Sequence, residues 1–259
     1  MGENGKDDTR TPGGSEIFRY DDPPKDFSLP DRDCVYLDDI EAHIERHIGP
    51  VETVLHEFVS DKVHLDVLLV EPSPSCDAWT YVTSGMSDLP MTLPPDLPDP
   101  KLWARAELFI QLPSDWLPQE GHAVFDAADD ENDTEHLWYP IRWLKSLARF
   151  PHNFDTWFGP GHTMPNGDPA EPIGPGTQMT GFLMNASISY DVAFDRIEAT
   201  DGNVITLYAV YPLYTEEMDF KLNKGSDALM DRLAAADVNE IYRPNRASVA
   251  VRKKILGLF

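Results

Sequence analysis

The chain has 259 residues, 41% of them hydrophobic, which is enough for a real core and too many for disorder throughout. Lys and Arg total 21 against 45 Asp and Glu, a formal charge of −24; this argues against nucleic acid as a partner and suits a basic protein, or simply solubility. No apolar run is long enough to span a membrane and the polar start lacks a signal peptide's apolar stretch, while Cys34 and Cys76 form no CxxC pair or disulfide framework, so a reduced, cytoplasmic location is expected.

Residues 1–16 are polar, rich in Gly and charge, and read as a flexible arm ahead of a domain over 17–249. Pro23, Pro24, Pro30 and several Asp make 21–33 equally poor in core-forming residues. A first helix is expected from about Leu37 to Ile48, where Ile40, Ile44 and Ile48 recur at i, i+4 and i+8 before Gly49-Pro50. Two strands then read at 51–58 and 63–71, joined as an antiparallel hairpin.

Trp79, Tyr81 and Thr83 alternate with Thr80, Val82 and Ser84 in a third strand that stops at Gly85, where φ > 0 is expected. Ser87 and Asp88 are expected to bond nearby amides as an Asx or Ser turn. A Pro-rich loop over 90–100 precedes a strand from Ala104 to Leu112. Acidic residues crowd 126–135, which reads as a solvated loop. Pro140 suits the first turn of a helix carrying Ile141, Leu144 and Leu147 up to Phe150-Pro151. Arg142, Lys145 and Arg149 form a basic stripe on it, read mainly as partners for neighbouring acids.

The passage from Gly159 to Gly176 is too irregular for a long element. Strands follow at about 181–190 and 203–211. Thr215 is expected to cap a helix over Glu216–Lys221 and Ser226 a second one containing Leu229, Met230 and Leu233. Residues 241–259 contain no acidic group, and 250–259 read as a basic and apolar tail.

Chemical motifs are sparse. His43 and His47 stand i, i+4 in the order HIERH, which lacks the general base of HExxH and any evident third ligand, so no metal is expected. Ser84, Gly85 and Ser87 make no GxSxG elbow, and no GxxxxGK[ST] loop is present. Adjacent Glu216 and Glu217 would diverge by about 100° around a helix and fit the dipole at its start better than a paired acid and base. No cofactor is expected.

The segment YVTSGMSDLPM at 81–91 resembles the YITxGMSxxPM-like stretch of the Suppressor of fused domain family. Further matches follow in order: AELFIQLP at 106–113, WYPIRWLKSLARF at 138–150, WFGPGHTMPNGDP at 157–169, VITLYAVYPLYTEEM at 204–218, GSDALMDRLAAADV at 225–238 and RPNRASV at 243–249. The resemblance implies an α+β domain, with a mixed or antiparallel sheet and packed helices, and no known catalysis. It marks Gly85, Ser87, Asp88, His162, Glu216 and Glu217 as family-motif residues. In animals the family member of that name clasps a transcription-factor peptide between two domains, and this chain looks like the first of them. Stand-alone bacterial members that look like this chain suggest an immunity protein that neutralises a toxin.

The expected function is therefore non-enzymatic protein binding. Asp129, Asp130, Glu131 and Asp133 of the acidic loop, or Leu97 and Trp103 beside the Pro-rich loop, are the candidate contact residues. The alternative is an enzyme with a polar cleft near Asp88, His162 and Glu217.

Overall fold

A computed structural model describes residues 9–20, 29–30, 34–118, 121–125 and 135–250. Among these residues the framework is one mixed sheet of eight strands. β1 (Val51–Leu55), β2 (Asp66–Val70), β3 (Ala78–Ser84) and β4 (Ala106–Pro113) run antiparallel to their neighbours. β4 then pairs in parallel with β8 (Val204–Leu213). β6 (Gly181–Asn185), β5 (His162–Pro165) and the short β7 (Arg196–Glu198) complete the order β1-β2-β3-β4-β8-β6-β5, with β7 also on β8.

Both faces of this sheet are covered, which explains why its central strands are buried along their whole length rather than at alternate positions. On β2, Val67 and Leu69 join one core and Leu68 and Val70 the other. The first core is closed by α3 (Glu135–Asn153) through Leu137, Ile141, Leu144 and Leu147. The second is closed by α1 (Leu37–His47) through Ile40 and Ile44, and by α5 (Ser226–Ala235) through Leu229 and Leu233. α2 (Pro100–Trp103) is a single turn before β4, and α4 (Thr215–Lys224) leads into α5.

The α+β class, α1, the first hairpin and the strand ending at Gly85 agree with the expectations from sequence. Differences arise where distant groups intervene. β2 begins only at Asp66, because Asp66 Oδ1 accepts from Glu57 N (3.0 Å) and His56 Nδ1 lies 2.8 Å from Oδ2, folding 56–65 into a loop. β6 ends at Asn185 rather than 190, because Glu240 draws 187–189 away: its carboxylate accepts from Ser187 Oγ (2.5 Å), Ser189 N (3.0 Å) and Ser189 Oγ (2.6 Å). His162–Pro165 pairs with β6 although no strand was expected there.

Pro140 is not in a first turn. α3 begins at Glu135 and runs through both Pro140 and Pro151, each costing one i→i−4 bond that burial against the sheet offsets. The helix caps are displaced by one residue. Tyr214 and Gly225 precede α4 and α5, and Thr215 instead shares a 2.7 Å bond with Thr180.

The arm expected over 1–16 is partly docked. Among the residues described there, Gly13 N donates to Leu222 O of α4 (2.8 Å), and Thr11 is buried. Tyr20 continues the contact, with its hydroxyl 2.7 Å from Thr156 Oγ1 and its ring edge-on to Phe150. Residues 1–8 and the tail 251–259 lie outside the described residues.

Candidate functional site

The turn after β3 is built around a buried acid that contributes no surface of its own. Glu107, on β4 and wholly buried, accepts from Gly85 N (2.9 Å), Ser87 N (2.9 Å), Ser87 Oγ (2.7 Å) and Thr83 Oγ1 (2.6 Å). Burial pushes its carboxyl up to about 7, while the bonds from Thr83, Ser87 and Gly85 pull the other way. Gly85 has φ +116°, and a Cβ there would lie 1.9 Å from His64 O. The residue type is thus required twice, by conformation and by space.

Met86–Asp88 then form one 3₁₀ turn. Ser87 and Asp88 do not make the local Asx or Ser turn expected of them. Ser87 is consumed by Glu107, and Asp88 Oδ1 accepts from Val35 N (2.9 Å), far away in sequence. Arg105 braces the turn from below, donating through Nη1 to the carbonyls of Ser87 and Asp88.

This turn forms one wall of a surface cleft of about 800 Å³, lined among others by Leu29, Lys62, Asp88, Leu89, Arg105 and His152. Its polar groups are fixed: Lys62 Nζ donates to His152 O (3.2 Å), and a His152 ring nitrogen is 2.9 Å from Met86 O. Burial lowers the His152 pKa and raises that of Asp88. Around the cleft, large apolar side chains face solvent. On its lining, Leu29 is 73% exposed and Leu89 is also exposed; outside the lining, Val35 is exposed next to Cys34, and Phe58 and Val59 stand out at 99% and 75% on the loop that carries Lys62.

The family-motif residues fall into separate places. Glu217 is wholly buried in the first turn of α4, where Arg246 grips both carboxylate oxygens at 2.6 Å and the amides of Tyr214 and Val249 add two more bonds. Glu216 is exposed beside it. His162 packs against Trp157 and Phe18, and burial, with Lys221 nearby, lowers its pKa to about 4. Asp88 alone of Asp88, His162 and Glu217 lines the cleft, and no hydrogen bond or ion pair among the described residues joins any two of them. The constellation of the alternative enzymatic reading is not assembled.

Trp103 is half-buried against the α3-side core and Leu97 is half-buried in its loop, so neither stands free as an anchor. Asp129, Asp130, Glu131 and Asp133 lie outside the described residues. The basic stripe of α3 is paired: Arg142 with Glu135, and Lys145 and Arg149 with Glu57. His43 is buried with Nε2 2.9 Å from Phe194 O, an edge-of-core role for the HIERH pair. Among the described residues, the metal-type ligands that do converge are Cys34, His64 and Asp66. Local spacing gave no sign of them, nor of Glu107 and Arg105. The one available signal was a charged residue at each of 105 and 107, flanking the start of an apolar strand.

A mixed sheet clad on both faces, with a motif turn walling a surface cleft, is the arrangement that the comparisons match. The family model described as Suppressor of fused protein (SUFU) matches residues 61–247, and the chain belongs to that family. Among solved structures, a putative SUFU homologue from Neisseria gonorrhoeae is similar at TM-score 0.54 and 16% identity, over 84% of this chain and 98% of that one. A chain of the Sufu-Fu complex aligns at TM-score 0.56 and 12% identity, over 84% and 93%. Drosophila Suppressor of Fused aligns at 0.53 and 10%, over 82% of this chain and 50% of the fly protein. Among curated proteins, none matches this sequence.

Proposed function

We propose that this chain is a non-enzymatic binding domain that holds a protein partner at the cleft beside the Gly85–Asp88 turn. The observation that carries the reading is the exposed apolar side chains of Leu29 and Leu89 on the cleft lining, with Phe58 and Val59 exposed on the loop that carries the lining residue Lys62, on an otherwise strongly charged protein. Apolar groups grouped at a concave, rigidly braced site are what a protein interface buries at its centre. Membership of the SUFU family, and the complex formed by one of its structural neighbours, support the same class of function.

The partner we propose is a basic protein, and more narrowly a toxin domain that this chain neutralises in the cytoplasm. The formal charge of −24 favours encounter with a cationic surface, and the likeness to a bacterial homologue along nearly all of that chain suits a stand-alone antitoxin. Co-expression with the products of adjacent genes tests this directly. A stoichiometric complex with a basic, toxic protein is the expected result, and partner-free protein in every such co-expression would sink the reading. Leu89→Ala and Phe58→Ala should raise the dissociation rate at least tenfold with the melting temperature unchanged, since exposed apolar anchors act mainly on complex lifetime.

A further inference from the structure

Behind the Gly85 turn, the segment before α1 meets the loop that leads into β2. Cys34 Sγ, a ring nitrogen of His64 and a carboxylate oxygen of Asp66 all lie within 4.8 Å of one another. Ligand atoms around a tetrahedral zinc-type ion stand about 3.3–3.8 Å apart, a spacing that small side-chain rotations reach from here. The group is sheltered: Cys34 and Asp66 are buried, and the His64 side chain is 18% exposed.

Hydrogen bonding orients the His64 ring. Ser60 Oγ donates its only proton to Glu57 Oε2 (2.9 Å), so the 2.8 Å contact between Ser60 Oγ and His64 Nδ1 is donated by the ring. Nε2 of the same ring therefore faces Asp66 Oδ1, 3.0 Å away. At that distance the two atoms are held by what lies between them, a proton or a cation. A Glu57–Ser60–His64 chain is also the kind of outer support that orients a metal-bound imidazole.

A separate observation comes from Asp88. Among the described residues its buried Oδ2 has no hydrogen-bond partner, and its carboxylate is near enough to act electrostatically on both Cys34 and His64. Ser84 Oγ is likewise unpartnered; Ser84 lies opposite Asp66 in the β2–β3 register, and its carbonyl accepts the Cys34 thiol at 3.3 Å. These two buried polar atoms beside three convergent ligands suit a bound ion or a water on it.

We propose that Cys34 Sγ, His64 Nε2 and Asp66 bind a divalent transition metal of the zinc class, with Asp88 Oδ2 satisfied by the ion or by water on it. The mixed thiolate, imidazole and carboxylate set suits zinc and excludes magnesium or calcium as the natural choice. Binding releases the Cys34 thiol proton to solvent, and that of His64 Nε2 where the ring is cationic. The ion then ties the entrance to α1 to β2 and to the turn that walls the cleft. This site stands whether or not the cleft binds the proposed partner.

The test is titration of the full-length, chelator-stripped protein with Zn²⁺ and with Co²⁺. One equivalent should bind, Co²⁺ should give a thiolate charge-transfer band, and Zn²⁺ should raise the melting temperature. Cys34→Ser and His64→Ala should each weaken binding by more than roughly 100-fold, the upper end for loss of a mere outer-shell partner, while His43→Ala should leave it unchanged. Absence of stoichiometric binding overturns the proposal, as does a Cys34→Ser variant that binds like the wild type. Should the variants fail to fold, X-ray absorption at the zinc edge of the wild-type protein decides: one sulfur among nitrogen and oxygen ligands supports the site, and no sulfur refutes it.

Discussion

At the scale of single residues, two positions around the motif turn set its stability. Gly85→Val forces a β-branched residue to φ +116° and a Cβ into His64 O, so a loss above about 3 kcal/mol is expected by urea unfolding. Glu107→Ala leaves the amides of Gly85 and Ser87 without an acceptor and should cost about 2–5 kcal/mol, from roughly 1–3 for each buried donor left unsatisfied. The pH dependence follows from the raised pKa. The folded state holds the Glu107 proton up to about pH 7, whereas the reference value is 4.5. This group's contribution is therefore complete below about 4.5 and falls as pH rises through 7. Unfolding curves of Glu107→Gln against wild type between pH 4.5 and 7.5 should show a flatter decline in the variant. A parallel pair of curves would rule out Glu107 as the titrating group.

At the scale of elements, the pairing of Glu217 with Arg246 joins α4 to a segment without regular structure. Arg246 also donates to Pro212 O of β8 (3.0 Å), so one guanidinium ties helix, strand and C-terminal segment together. Arg246→Ala strands a fully buried carboxylate and should destabilise by about 3–5 kcal/mol, checked by thermal and denaturant unfolding. Glu217→Gln on that background should recover part of the loss, since an uncharged amide is less costly to leave unpaired than a carboxylate. The docked arm makes a smaller, local version of the same point. A Cβ on Gly13 would lie 2.8 Å from Leu222 O, so Gly13→Val should release the arm and speed hydrogen exchange there without unfolding the sheet.

For the whole molecule, the question is where the charge of −24 acts. If Asp129, Asp130, Glu131 and Asp133 steer a basic partner, replacing all four with Ser should slow association several-fold and flatten its salt dependence, while dissociation stays unchanged. An unaltered association rate at low salt would remove the acidic loop from the recognition surface. Trp103→Ala tests the neighbouring loop in the opposite sense. Because its ring packs on the core, the expected effect is a lower melting temperature rather than weaker binding to the folded protein.

How much was legible follows from how local each signal is. The isoleucines of α1 repeat within eleven residues, and the alternation of β3 and the stop at Gly85 lie within eight, so local residue order is enough to say that these elements form and where they end. The ordered family motifs likewise carried the α+β class and the SUFU resemblance. It took folding in three dimensions for Glu107 to organise a turn some twenty residues before it, for Glu240 to shorten β6, for Arg246 to hold Glu217, and for Cys34, His64 and Asp66 to converge. Each of these depends on which strands become neighbours and on what burial does to a charged group. A carboxylate removed from water must find donors wherever the fold brings them, at sequence separations over which no local pattern extends.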